Sequence, residues 1–563
     1  MCPSMSKMRM SDRRTVVFWG AGATARMEMA TTSKQNEIFL ALSRKETNQS
    51  YQECLAGFKQ GVFGDRFNAV CDLLTLLDDD SPCVEGCRLC GFSQRQLDIV
   101  RDHADELGKT DDERKNRVVM MRQQYDWSSA MRILRLQKDD VEYKNGRETF
   151  SDTFTLKIYN LLDVNIASHS GLHVFPSEGQ SHTLSSFLDE RRLRSAKSAL
   201  VMFISLVFAC AWAVSRHRFA DAGNPYCRFA DWLSEIRADE VRNGVGDAVF
   251  STSFVSMNFD PILWWLIKNA DARYNRHPKH VGDWNCPLFL GEDVDQADAV
   301  RPLRDMEPSV SSGLLPDVTA RFVDLRGGME DEHCNARYQT VKIFFPHGSP
   351  NLKICPCCRK TTLYQGNALE DSSESLFPPF FFKEFTWGCA PSDAVREGVG
   401  DAEARKWKQG ELDYIQCRHC GRGIRMCDTE MVMQSGLKSA PSHILQRISH
   451  NVDNAVMDAD HIVLMGYSLP PDDGSWVAEL QSRGTRNGGS RIRCSIVGHA
   501  DGAPNEWLFG DQLDKYCKEP HSVINQARAV FGRENVRANL KGIPDVFESQ
   551  EAVRQMLYPD EWK

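Results

Sequence analysis

A chain of 563 residues, 42% apolar and 26% charged, is too long for one simple core and has the balance of a folded globular protein, with room for about three to five lobes. A net charge of −9 and a pI near 6.0 argue against nucleic-acid binding through a broad basic surface. The apolar run Ala199–Val214 falls short of the ~20 residues that a bilayer span needs, so it reads as a buried core helix and no membrane is expected.

Met1 to Arg14 is polar and lacks the apolar centre of a signal peptide, which predicts a cytoplasmic protein. Residues 15–19 (TVVFW) predict a strand that ends in the glycine turn Gly20-Ala21-Gly22-Ala23-Thr24-Ala25, the start of a nucleotide-binding core over 1–33. Residues 34–150 are charged and helical in pattern and read as an insertion; the block Arg191-Arg192-Leu193-Arg194, further on, reads as a solvated helix face. Core patterning returns over 151–350, with strands at 251–256 and 341–345 around a Pro- and Asp-rich stretch. A small cysteine-containing module with an inserted loop follows over 351–437. Late core strands lie within 459–473 and 491–500, in a segment spanning 438–505, and 506–563 reads as a helical tail. Strands alternating with helices predict an α/β fold: a doubly wound parallel sheet of Rossmann-like type.

In such a sheet, ligands gather where the strands end. The glycine turn fits the loose pattern G-x-G-x-x-[G/A], in which the backbone approaches a pyrophosphate; a ligand-free strand-to-helix turn would look the same. Asn258 ends the second strand. Asp260, followed by Pro261 and ILWWLI, has a ready structural duty as a helix cap, whereas Asn258 has none evident. His347 ends the strand VKIFF, and its imidazole titrates near neutrality, so it can take a proton from a ribose hydroxyl or a water. Gly466, Tyr467 and Ser468 end a later strand and Gly498 another; topology places these near phosphates, ribose or adenosine. Glu46 lies roughly where the ribose-binding acid of a dehydrogenase would fall.

Nineteen cysteines in a reducing compartment suggest metal or burial before disulfides. Cys355-x-x-Cys358 and Cys417-x-x-Cys420 make two knuckles suited to a structural zinc, although 58 residues separate them against about 15–20 in the common ribbon pattern. Cys357, Cys389, Cys427 and His419 are alternative ligands; Cys83, Cys87 and Cys90 lack an obvious fourth partner and read as free thiols.

The ordered set resembles the sirtuin superfamily over about residues 15–500. The family's glycine turn matches Gly20-Ala21-Gly22, its Thr-x-Asn-x-Asp motif matches Ser256 to Asp260, its His-Gly matches His347-Gly348, and its zinc knuckles and late Gly-Tyr-Ser strand match the residues above. The chain departs from deacylating sirtuins after the turn, where Met27-Glu28-Met29-Ala30 stands in place of Gly-Ile-Pro-x-Phe-Arg, and after Cys420, where the Phe-Gly-Glu clamp is missing. Gly-Tyr-Ser-Leu-Pro and the helical insertion are similar to the bacterial sirtuin-like branch of antiphage defence.

That resemblance implies an NAD+ hydrolase that depletes NAD, with Asn258 and His347 catalytic, Asp260 bracing them, and Gly20, Ala21, Gly22, Thr24, Gly466, Tyr467, Ser468 and Gly498 around the dinucleotide. It implies a structural zinc on Cys355, Cys358, Cys417 and Cys420, and control through a homo-oligomer or a partner defence protein. The alternatives are a protein-lysine deacylase, a non-catalytic sensor of NAD or ADP-ribose, and a dehydrogenase.

Overall fold

The computed structural model of the chain describes residues 14–43, 67–78, 92–174, 187–215, 219, 223–242, 252–276, 342–363, 415–416, 423–424, 428–435, 443–486, 492–517 and 522–559, with short breaks inside some of these ranges. Its centre is a seven-stranded sheet. In chain order the strands are β1 (Thr15–Trp19), β2 (Thr252–Ser256), β3 (Lys342–Phe344), β4 (His461–Met465), β5 (Arg493–Val497), β6 (Leu508–Phe509) and β7 (Val536–Asn539). Across the sheet they run β6-β7-β5-β4-β1-β2-β3, every pair parallel except the short edge strand β6 against β7. The order 3-2-1-4-5 is that of doubly wound dinucleotide-binding sheets, and it reverses between β1 and β4. The expected α/β parallel sheet is therefore present.

The sequence of β1 explains its place. TVVFW carries three adjacent β-branched residues and two aromatics, and all five are buried, as a central parallel strand covered on both faces requires. Period-two geometry sends Val17 and Trp19 to one face and Val16 and Phe18 to the other. The first pair joins the helices of the first half of the chain; the second joins the helices His443–Asp458, Gly474–Arg486 and Val523–Phe531.

The apolar run forms part of one helix, Glu190–Ser215, packed against the helices Trp127–Arg135 and Phe154–Ala167. Its stretch Glu190–Trp212 is long and apolar enough to cross a membrane (mean hydropathy 1.7), and 83% of that window is buried inside the protein, as a core helix is. Near its polar end, Lys197 meets the buried Asp163 at 2.6 Å.

Two local expectations change. The stretch 34–150 is not helical throughout: Val141–Lys144 and Arg147–Phe150 pair as a hairpin that packs on the helix Thr32–Ser43. The tail also supplies two strands of the main sheet. Strand β7 reads VRAN, and a central-sheet arginine defeats an apolar pattern. Arg537 is nonetheless buried, its guanidinium 3.9 Å from the Trp507 ring centre and hydrogen-bonded to the Ser495 hydroxyl and the Gln555 carbonyl.

Candidate active site at the carboxyl edge of the sheet

Because β1 to β5 are parallel, their carboxyl ends share one edge, and the described candidate residues all follow those ends. Gly20 to Thr24 follow β1, Asn258 and Asp260 follow β2, and His347 follows β3. Gly466 to Ser468 follow β4, and Gly498 follows β5.

The turns after β1 and β4 interlock at the point where the strand order reverses. A Cβ on Gly20 would lie 2.5 Å from the Gly466 carbonyl oxygen and 2.6 Å from Tyr467 Cα. Gly466 has a φ of +59°, and a Cβ there would lie 2.2 Å from the Ala23 nitrogen. The Gly22 N–H donates to the Gly466 carbonyl and the Ala23 N–H to the Gly20 carbonyl, both at 2.9 Å. Close backbone packing thus accounts for these glycines by itself. The helix after the turn is short, Ala21–Thr24, before a 3-10 turn over Ala25–Met27, and Ala21 and Gly22 are solvent-exposed. Gly498 differs: its virtual Cβ meets only Leu540 Cδ2, at 3.7 Å, so the fold makes no demand for glycine there.

Asn258 ties β2 to the glycine turn. Its Nδ2 donates to the Gly20 carbonyl and to the Thr24 hydroxyl oxygen, each at 3.1 Å. The Gly20 carbonyl can only accept, so the amide is oriented, and Oδ1 is the atom left over. No hydrogen bond reaches Oδ1 among the described residues, although the side chain is buried. Local pattern shows no structural duty for Asn258; the fold supplies one, together with a spare acceptor.

Asp260 accepts the Ile262 N–H at 3.2 Å at the start of the helix Ile262–Arg276, the expected cap. Burial pushes its carboxyl up to about 7, against which the hydrogen bonds to backbone N–H groups act in the opposite direction. A carboxyl that titrates near neutrality can hold or release a proton at this edge.

His347 is buried between two oxygen atoms. Its Nδ1 lies 3.3 Å from the Met257 carbonyl oxygen, the residue before Asn258, and its Nε2 lies 3.0 Å from Asp473 Oδ1. The second approach is off the axis of a ring N–H, so it is a short contact with a carboxylate and not an aligned hydrogen bond. The Tyr467 hydroxyl donates to Asp473 Oδ2 at 2.7 Å. Gly348 has a φ of +72°, and a Cβ there would sit 1.7 Å from the Glu430 carbonyl oxygen, so the glycine after His347 is a packing requirement.

Asp473 is the functional candidate that sequence reasoning misses, as one of four turn residues in Pro470-Pro471-Asp472-Asp473. The signal that could have found it is a carboxylate just past one strand end in a chain with a histidine just past another.

Cys355, Cys358, Cys417 and Cys420 lie outside the described residues, as do Glu46, Cys83, Cys87, Cys90, Cys389, Cys427 and His419; Cys357 is described and exposed. The strands flanking each knuckle pair with one another: Ile354 faces Thr361 and Gln416 faces Gly423, both antiparallel. Among the described residues no group of three or more His, Cys, Asp or Glu side chains could hold a metal.

Fold and site together define an α/β protein of doubly wound type with a polar, partly unsatisfied cluster at the carboxyl edge of its sheet. No protein-family model matches the chain, and no curated protein matches it.

Proposed function

We propose that the protein hydrolyses NAD+ at the carboxyl edge, releasing nicotinamide and ADP-ribose. The observation that carries this reading is Asn258: an amide locked by the glycine turn of β1 with one acceptor to spare, on the strand next to the one that carries His347. Such a group is free to accept from a ribose hydroxyl or an attacking water while its amide nitrogen stays fixed by the turn.

In this reaction the bond between ribose C1′ and the nicotinamide nitrogen breaks, and its electron pair neutralises the pyridinium. A water oxygen bonds to C1′ and gives up a proton. The transition state is oxocarbenium-like, so the chain supplies position, charge and a base, and no strong nucleophile is needed. Asn258 Oδ1 orients the hydroxyl or water, His347 takes the proton, and the Asp260 carboxyl supports the edge beside them.

A structural zinc on Cys355, Cys358, Cys417 and Cys420 belongs to the same proposal, supported by the antiparallel pairing on either side of each knuckle. It would join the two hairpins and supply no chemistry at C1′. One zinc per chain, lost on replacing the four cysteines by serine, checks it. Antiphage defence as the setting, and an oligomer or partner protein as the control, are further parts of the proposal and rest on the sequence resemblance.

The test is incubation of the purified chain with NAD alone, followed by chromatography of nicotinamide and ADP-ribose beside an Asn258→Ala control. Both products from the native chain and neither from the variant support the hydrolase. Nicotinamide release only when an acylated peptide is added would assign a deacylase, and NAD binding without turnover under either condition would assign a sensor.

A further inference from the structure

We propose that Arg26 is the anion-binding residue of the dinucleotide site, exchanging its surface partner Asp545 for the diphosphate of the ligand. The ligand class rests on the hydrolase reading; the contact that places Arg26 does not.

Arg26 lies in the 3-10 turn that leaves the glycine turn of β1, and its Nη1 meets Asp545 Oδ2 at 3.1 Å. Asp545 follows β7, and β5 and β4 stand between β7 and β1 in the sheet. Three strand spacings are about 14 Å, so this contact crosses the carboxyl edge past the ends of β4 and β5. Gly542 shows where the guanidinium rests. Its φ is +111°, and a Cβ there would lie 3.4 Å from Arg26 Nη2 and 3.2 Å from Nδ1 of His499, the residue after Gly498. The guanidinium therefore lies against backbone in the loop after β7, beside the end of β5, over the stretch of edge that holds Gly466 to Ser468 and Gly498.

A dinucleotide brings the paired negative charges of its diphosphate to this edge. The helix Ala21–Thr24 is a single turn, so its dipole offers them little. Arg26 is the first cation after the glycine turn, and its present partner is one oxygen of a half-exposed carboxylate. An exposed pair of that kind contributes little to stability. A guanidinium can instead present two parallel N–H donors to a phosphate, a stronger and better-oriented contact. Lys541, exposed next to Gly542, adds positive potential at the same place. The opposing charge besides Asp545 is Asp501, fully exposed and 3.3 Å from His499 Nε2.

Partner exchange and a purely structural ion pair predict different signs. If the pair only holds the loop after β7 in place, losing either member harms the site in the same direction. If Asp545 competes with the ligand for Arg26, losing Arg26 weakens binding and losing the Asp545 charge strengthens it.

The experiment is isothermal titration calorimetry of the full-length protein with ADP-ribose at two salt concentrations. Arg26→Gln should weaken binding about 10–100-fold and flatten its salt dependence, while Asp545→Asn should tighten binding about 2–5-fold. Weaker binding in Asp545→Asn overturns the proposal, as does native affinity in folded Arg26→Gln or no binding of ADP-ribose to the native chain. If the affinities move as stated while the native chain turns over no NAD, the hydrolase reading fails and the role of Arg26 stands. If Arg26→Gln hydrolyses NAD with native KM, the hydrolase stands and Arg26 is removed from its site.

Discussion

The two edges of the central sheet carry similar buried polar residues and use them differently. At the amino edge and the strand segments beside it, the polar groups close on the end of the chain. The Thr15 hydroxyl donates to the Leu557 carbonyl at 2.7 Å, and His461 Nδ1 reaches the same oxygen at 3.1 Å. His461 Nε2 meets the Ser495 hydroxyl, which also accepts from Arg537 Nε, and the Thr252 and Tyr558 hydroxyls pair. At the carboxyl edge Asn258 keeps an acceptor unused, Asp260 is held near neutral pH by burial, and His347 lies against a carboxylate off the hydrogen-bond axis. Both edges have a buried histidine. What separates His461 from His347 is whether the surrounding protein completes its hydrogen bonds, and completeness is the mark of a structural network.

The largest effect expected from breaking this contrast is at Asn258. Asn258→Ala should lower NAD turnover by about 1,000-fold, the loss typical of one oriented polar group at a transition state, with the circular dichroism of the native fold retained. Turnover near the native rate would place the chemistry elsewhere. The counterpart at the other edge is Arg537→Ala, which opens a buried network and should cost about 2–4 kcal/mol in denaturant unfolding. Its folded fraction should keep native kcat; a kcat loss as large as that of Asn258→Ala would erase the distinction between the edges.

A pH-dependent effect is expected at Asp260. Its folded carboxyl titrates near 7 against an ordinary 3.8, so folding takes up a proton between those values. Its contribution to stability is therefore full below the ordinary value and is lost as pH rises through about 7. Asp260→Asn keeps an oxygen for the Ile262 N–H and titrates nothing, so it should gain stability relative to the native chain as pH rises from about 4 to about 8, by on the order of 4 kcal/mol across that window. Chemical unfolding at both pH values measures it, and parallel pH profiles for the two proteins would contradict it.

Smallest is Gly498→Ala. A Cβ here would make only an ordinary 3.7 Å contact with Leu540 Cδ2, which predicts no loss of stability. If the adenosine side of NAD passes here, KM for NAD should rise about 3–10-fold, since a methyl blocks close backbone approach. A native KM would remove Gly498 from the binding surface.

Much of this arrangement is legible in the sequence. TVVFW, VKIFF and DHIVLM are apolar runs of strand length bounded by turns, and each ends at a residue with chemistry, so a parallel sheet with one ligand edge follows directly. The illegible parts share a cause. Arg537 hides a strand because its burial depends on Trp507, Ser495 and the carbonyl of Gln555, which come from other elements. Asp473 reads as a turn residue until the fold brings it within 3.0 Å of a histidine 126 positions earlier. The glycine turn is the converse case. Its pattern reads as a pyrophosphate cradle, and the packing of Gly20 and Gly22 on Gly466 explains the same glycines without a ligand. Local pattern reports what a backbone can do; which neighbour it meets is a tertiary fact.

The most direct measurement is hydrogen–deuterium exchange of the native full-length chain with and without ADP-ribose, a stable probe because it is the proposed product. Protection is predicted at residues 20–24, 257–262, 466–468 and 498, with no change at 15, 252, 461 or 555–558. Protection confined to the amino edge, or none anywhere at saturating ADP-ribose, would contradict the assignment of the carboxyl edge as the site where this protein binds and cleaves its dinucleotide.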